Sequence, residues 1–483
     1  MHTRKTIICY CLLMVLTLSC VAQEVKMPVL RIYFSAKIKK NMPYSNGSMK
    51  LTDTNGNVIE MPAKFKTRGA TAQQYLRKPS LNMKLRNEDY SEEADSALLG
   101  MRSCSSWILD AMTIDRICMR NRVAFDIWNE FSKLPYETSF NSRNGTEGRF
   151  IELYINDIYY GIYCLTDRIN RKLLDLKKVK EMEDGSILVR GVLYKSGTSE
   201  ISDQVNFGYN EDSTACTISY HNAWELTFPE DYGGKAAWLP LQEAFSLSGK
   251  TVDYVRKYFY LENLADYQIL IMALSIGDNM GNKNHYLSIR NINKDIDALD
   301  PNDYLPRRFV LTPWDLDTSL GGNYKGEYYN GNYSNWAVTN VNQNPFYPIS
   351  AVQSSLEYKN ILKKRWQQGR RGAFSTTSIN KKLETYRDLF LKSGAWQRMI
   401  DHYDLTKSNP MLVVDLAKEI GLIEQWYERR FREMDAYFGI SDGIDDIMAD
   451  QNASSSMYNI QGQAVSSQTK GIVIINHKKY LVK

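Results

Sequence analysis

The 483-residue sequence contains no GxSxG turn, no HExxH pair, no GxxxxGK[ST] loop and no CxxC pair. Serine-hydrolase, zincin, P-loop and paired-thiol chemistries therefore have no motif to rest on. Cysteine is scarce, with seven in all. Three of them, Cys9, Cys11 and Cys20, lie in the N-terminal segment, and Cys104, Cys118, Cys164 and Cys216 are widely and irregularly spaced. That spacing excludes a disulfide scaffold and points to buried small hydrophobes with at most one bridge. His221 and His285 have no second ligand at helical or hairpin spacing, which argues against a histidine-based metal centre. No block of like charge occurs either: a net +5 is spread over 60 basic and 55 acidic residues, so nucleic acid is not the favoured partner.

Long apolar runs are missing as well, except at the start. "MHTRKTIICYCLLMVLTLSCVAQE" has a basic head (Arg4, Lys5), an apolar stretch from Thr6 to Leu18 and small residues before Gln23. Residues 1–23 read as a bacterial-type export signal, too short for a comfortable membrane span. Two processing routes fit it: cleavage after Ala22, or a lipid anchor on Cys20. Thr17, Leu18 and Ser19 match a lipoprotein signal only in part, which tips the reading toward cleavage. With the signal removed, no stretch is apolar enough to cross a bilayer as a helix.

A chain of this length with 43% hydrophobic residues buries a sizeable core and suggests two or three structural units. From Val29 to about Leu85, short apolar runs alternate with turn signals ("SNGS", "TNGN"), as in an antiparallel β region. In "ICMRNRVAFDIWNEF" (117–131), Ile117, Ala124, Ile127, Trp128 and Phe131 share one helical face. "RFIELYINDIYYGIYCL" reads as two strands turning at Asn156 and Asp157. "ENLADYQILIMALSIG" is apolar nearly all round, as a buried helix is, with Gly277 as its stop. Two strand-like runs, "HYLSIR" and "RRFVLTPW", follow, and helical pattern dominates from Pro348 to Phe438. This gives an α+β chain with a β-rich first lobe and a helical second lobe over residues 24–440. A linker (441–455) and a tail of three short strands (456–483) complete it. No internal repeat is evident.

Chemistry concentrates at two polar loops that bracket the strand pair, "GDNMGNKNHY" (277–286) and "WDLDTSLGG" (314–322). Both belong at one end of that hairpin. One Asp orienting a hydroxyl, with Asn and another Asp holding a divalent cation, is what phosphoryl transfer requires. Asp315 and Asp317 would then stand close because a cation lies between them.

The order of parts resembles the CotH family of secreted and spore-coat proteins. "RGATAQQYLRKPSLNMK", "SSWILDAMTIDRICMRNRVAFDIW", "IELYINDIYYGIYCLTDRIN", "GDNMGNKNHYL" and "TPWDLDTSLGG" follow one another as that family's segments do, over roughly residues 28–438. The resemblance implies an atypical protein-kinase-like two-lobe fold with a cleft, lacking the usual glycine loop, HRD and DFG. It makes Asp278 the residue that orients the acceptor hydroxyl. Asn284, Asp315 and Asp317 become metal ligands, and Lys78 and Lys84 the nucleotide-phosphate contacts, with Arg68 in the nucleotide site orienting that segment. The acid that pairs with the lysine is Glu152 or Asp167, the family often having glutamate at the latter position. Asn284 lies six residues after Asp278 where five is common, so Asn282 shares its candidacy. The implied activity is transfer of phosphate from ATP, with Mg2+ or Mn2+, to Ser or Thr of an extracytoplasmic protein, at the cell surface, in the periplasm or outside the cell. A second reading is a non-catalytic surface or matrix protein that uses the same aspartates for structural Ca2+. The tail pattern "YNIQGQAV" followed by "KGIVIINHKK" is similar to type IX secretion sorting domains.

Overall fold

The computed structural model describes residues 25–69, 71–136, 138, 142–196, 220–221, 224–230, 235–245, 251–279, 281, 283–293, 307–323, 347–405 and 410–440, together with tail strands at 457–459, 464–465, 471–475 and 478–482. The signal region, Asn282, Cys216 and the 441–455 linker lie outside the described residues.

Alternating apolar residues build a barrel first. Strands β1 (Val29–Phe34), β2 (Ser45–Thr52), β3 (Val58–Thr67), β4 (Leu81–Leu85), β5 (Ser106–Asp110), β6 (Gly148–Ile155) and β7 (Ile158–Asp167) close in the order β1-β2-β3-β4-β5-β7-β6. In β1, Leu30, Ile32 and Phe34 point inward, and Phe34 stacks on Phe65 at 5.2 Å. Closure comes from a parallel pairing of β1 with β6, Val29 opposite Glu152. It joins segments far apart in the chain and removes the open edges that an antiparallel region would leave. Asn156 and Asp157 turn the β6–β7 hairpin, with φ of 48° and 63°. Helix α1 (Arg120–Phe131) begins after Ile117, which is buried in the preceding loop rather than on the helix. Asp115 holds that start by accepting from the N–H groups of Met119 and Arg120, each at 2.7 Å.

After a short hairpin, β8 (Lys180–Glu181) with β9 (Ile187–Leu188), a second sheet forms. It contains β10 (Val192–Ser196), β11 (Tyr220–His221), β12 (Trp224–Phe228), β13 (His285–Ile289) and β14 (Val310–Pro313), ordered β11-β12-β10-β13-β14. The strand pair read from sequence is thus one side of a five-stranded sheet. Helices α2 (Lys235–Ala244), α3 (Val252–Tyr258), α4 (Leu261–Leu274), α5 (Tyr347–Val352), α6 (Leu356–Arg370), α7 (Thr376–Lys392), α8 (Ala395–His402) and α9 (Leu416–Tyr437) make the helical region. Every residue of α4 except Glu262 is buried, as its all-round apolar sequence requires. Its stop is Ser275 in the left-handed region (φ 54°), not Gly277, which opens a 3-10 turn. Among the described residues no helix is long and apolar enough to cross a membrane. Cys104, Cys118 and Cys164 are buried free thiols. The tail forms four strands rather than three: β15 (Met457–Asn459), β16 (Ala464–Val465), β17 (Gly471–Ile475) and β18 (Lys478–Val482).

The barrel meets the helical region where α8 lies against β7. Gly161 has φ 85°, and a Cβ there would sit 2.9 Å from both Cγ and Sδ of Met399. Arg398 adds a two-pronged ion pair to Glu152, at 2.9 and 2.7 Å, and Tyr159 donates to the same carboxylate at 2.8 Å. Gly161→Ala combines a left-handed backbone with overpacking, and is expected to lower stability by about 2–4 kcal/mol, read by urea denaturation.

Candidate functional site

The end of the β13–β14 hairpin positions the site. The strands pair from His285 opposite Pro313 to Ser288 opposite Val310, so Asn284 and Trp314 are the first residues beyond the ladder. The Trp314 N–H donates to the Asn284 carbonyl at 2.8 Å. Asn284 and Asp315 both adopt left-handed backbone, each with φ 56°, a conformation that Asn and Asp tolerate better than other side chains. Strand β14 is held from behind by two buried asparagines. Asn263 accepts from the Leu311 N–H at 2.7 Å and donates to its carbonyl at 3.1 Å. Asn144 donates to the same carbonyl at 3.1 Å and accepts from the Thr312 hydroxyl at 2.5 Å.

The two loops are tied to each other as well as to the hairpin. The Leu320 N–H donates to the Leu274 carbonyl at 2.8 Å, and the Asp278 N–H to the Thr318 hydroxyl at 3.3 Å. Buried Asn279 donates from one amide to two carbonyls, Asn284 at 2.9 Å and Trp314 at 2.7 Å. The Tyr267 hydroxyl fixes the Asn279 carbonyl at 2.9 Å. Asp278 therefore arrives in a defined pose. Its carboxylate accepts from the Asn284 amide at 3.0 Å and pairs with Lys283 at 2.5 Å.

Charges of both signs gather around Asp315. Its carboxylate touches solvent, yet it lies deep enough among protein atoms that desolvation pushes its pKa up to about 6. Arg68 and Lys283 oppose the rise, while Asp110 and Asp278 add to it. Asp317 is raised well above the carboxylate range, by burial first and then by Asp315, Asp110 and Asp278. Positive groups stand across from these acids. The Arg68 guanidinium lies 5.5 Å over the Trp314 ring, which packs edge-on to Tyr286 at 5.8 Å. Lys195 is the cross-strand neighbour of Tyr286. Burial lowers the Lys195 pKa; Glu225 and Asp315 oppose that, and Arg68 and Arg168 reinforce it.

Such a donor set suits a hard divalent cation. Among the described residues no group of three or more His, Cys, Asp or Glu side chains is placed to hold a metal ion by itself. Magnesium does not demand one, because it commonly takes one or two carboxylates and fills its shell with phosphate oxygens and water. Asp315, Asp317 and the Asn284 side-chain oxygen are donors of that kind, and the crowding of acids around Asp317 is what a cation relieves.

The structure brings together Asp278, Asn284, Asp315, Asp317 and Arg68, and it gives the other expected residues pairings of their own. The Lys78 amine is wholly buried, donates to the Ala111 carbonyl at 2.7 Å and lies 5.1 Å over the Tyr163 ring. Lys84 pairs with Glu93 at 3.2 Å. Neither acid expected to partner the lysine does so. Asp167 is sealed at the end of β7 on Arg102 at 2.6 Å, and Glu152 faces α8, buried on Arg398 rather than turned to solvent. His285 is buried with its Nδ1 against the Lys283 carbonyl at 2.9 Å, and burial lowers its pKa to about 4. Sequence reasoning missed Asn279, Asp110, Lys195 and Arg168. Asn279 adjoins Asp278 and Asp110 ends a strand, which were available signals; Lys195 and Arg168 carry none.

The chain belongs to the CotH kinase protein family, whose family model matches residues 65–434. No curated protein matches the chain. The matched span contains β4 to β14, both acidic loops and most of the helical region. Within it, Asn279→Ala would take the side-chain donor from the Trp314 carbonyl and leave the Asn284 carbonyl with only the Trp314 N–H. It is expected to cost about 1–3 kcal/mol, measured by chemical denaturation, with amide exchange rising in both loops together.

Proposed function

We propose that this protein is an exported atypical protein kinase that transfers phosphate from ATP to Ser or Thr of another extracytoplasmic protein. The observation that carries the reading is the convergence of two acidic loops on one hairpin end, with Arg68 and Lys195 across from them. Phosphoryl transfer needs little covalent help from the protein and much positioning and charge neutralisation. Asp278 orients the acceptor hydroxyl and takes its proton, and the Asn284 amide holds that carboxylate in aim. The same Asn284 side chain has its oxygen left for a cation, so one residue serves both halves of the site. Asp315 and Asp317 are the principal ligands for Mg2+ or Mn2+. When bound, the cation supplies charge neutralisation on the transferring phosphate. Arg68, Lys195 and Arg168 are the phosphate contacts, in place of Lys78 and Lys84. Lys283 pairs with the Asp278 carboxylate at 2.5 Å and helps hold it in place.

The fold supports a two-lobe kinase-like reading, with the barrel as the first lobe and the second sheet plus helices as the other. The N-terminal basic-then-apolar segment supports export, and the tail supports sorting across a second membrane.

Asp315→Ala is expected to abolish both ATP-dependent thermal stabilisation and phosphate transfer. Asp278→Ala should keep nucleotide binding while transfer falls by about two to four orders of magnitude. A wild-type chain stabilised by calcium alone, with no response to ATP plus magnesium or manganese, would overturn the reading.

A further inference from the structure

The first turn of α1 reaches the metal loop beside its aspartates through Asn121. The Asn121 side-chain oxygen accepts from the Leu316 N–H at 3.1 Å, and its amide donates to Asp110 at 3.0 Å. Leu316 is the residue between Asp315 and Asp317. Asp110 is the last residue of β5, a barrel strand, and its other oxygen accepts from the Met112 N–H at 3.1 Å. The amide orientation is not arbitrary. Reversing it would set an N–H2 against the Leu316 N–H and an oxygen against the Asp110 carboxylate, losing both bonds.

Neighbouring contacts make this a grip rather than a chance touch. Arg120, one residue earlier, is buried and pairs with Asp115 at 2.6 Å. A Cβ on Gly322 would lie 3.0 Å from the Arg120 Nε, so the loop's glycine end packs on that guanidinium. The helix start thus holds the "DLDTSLGG" segment at both ends, by Asn121 near the aspartates and by Arg120 near the glycines. The strained backbone at Asp315 (φ 56°) needs such outside restraint to stay populated.

We propose that Asn121 is a positioning residue: through it, Asp110 of the barrel fixes the aim of the Asp315–Asp317 loop. An amide suits this task where a carboxylate does not. Asp at 121 would still accept from the Leu316 N–H, but would face the Asp110 carboxylate with no donor between them. The barrel and the cation-binding loop are thereby coupled through Asn121, and movement of α1 relative to β5 would be felt at Asp315. The inference rests on the proposed kinase reading only for its activity arm; the coupling itself is structural.

The test uses the full chain and four proteins: wild type, Asn121→Ala, Asn121→Asp, and the exchange Asp110→Asn with Asn121→Asp. The exchange conserves net charge and restores a donor–acceptor pair with its polarity reversed, while keeping the acceptor for Leu316. Hydrogen exchange of the peptide spanning residues 314–320 should quicken about tenfold in both single variants and return toward wild type in the exchange. Affinity for Mn2+ with ADP should fall about 10- to 100-fold in the single variants, as loss of an outer-shell partner does, and recover in the exchange. If Asn121→Ala fails to fold, the isosteric Asp pair carries the test. Unchanged loop exchange in the single variants, or a double variant no better than Asn121→Asp, overturns the proposal. Exchange and Mn2+·ADP results as expected, in a wild type that transfers no phosphate, would support the coupling while sinking the kinase reading.

Discussion

One hydrogen bond, from the Trp314 N–H to the Asn284 carbonyl at 2.8 Å, closes the hairpin on which the whole candidate site hangs. It joins the residue that ends one acidic loop to the residue that begins the other. Immediately outside it, Asn284 and Asp315 turn into left-handed backbone, and that turn aims both side chains back toward Asp278 and the barrel. Together with the Asp278–Thr318 bond and the Asn279 amide, this closure keeps the loops from being two separate surface excursions, each with a carboxylate in water. The asparagines around it, Asn144, Asn263 and Asn279, satisfy the backbone groups of β14 and the loop ends. An unpaired buried backbone group costs free energy comparable to a lost bond, so these amides stabilise the geometry while contributing no charge.

Charge then does what hydrogen bonding cannot. Acids crowd one side of the hairpin end, and Arg68, Arg168 and Lys195 stand on the other, supplied by the barrel, by the residue just after β7 and by the second sheet. The 277–286 loop carries its own cation, Lys283 paired with Asp278, but Arg68 and Arg168 come from the barrel side, so assembling the site requires the barrel to dock. The Gly161–Met399 contact and the Glu152–Arg398 pair secure that docking at a distance from the chemistry. Glu152 serves assembly there, which explains why a buried acid on a barrel strand is far from any phosphate-binding role.

Much of this was legible before any coordinates. The strand pair, its two flanking acidic loops, the buried α4 and the Asn156–Asp157 turn are local, and local patterns report alternation and turn chemistry directly. Barrel closure was not legible, because β1 pairs with β6 across more than a hundred intervening residues and nothing in either strand names its partner. The setting of the lysines was not legible for a related reason. Sequence shows that Lys78 precedes a β-strand, but not that its amine is sealed beneath Ala111 and Tyr163. Lys195 looked unremarkable because its significance comes from standing beside Tyr286 in a sheet of which only two strands had been foreseen. The end of α4 was displaced from Gly277 to Ser275, since a left-handed stop is set by the path the next segment takes and not by glycine alone.

The central claim is that the two acidic loops form a single cation and nucleotide site. Crystals grown with Mn2+ and a non-hydrolysable ATP analogue, measured at the manganese absorption edge, test it most directly. The account predicts an anomalous peak in coordination range of Asp315 and of Asp317 or Asn284, with the analogue's phosphates toward Arg68 and Lys195. A peak elsewhere, or nucleotide bound without touching either loop, would contradict it.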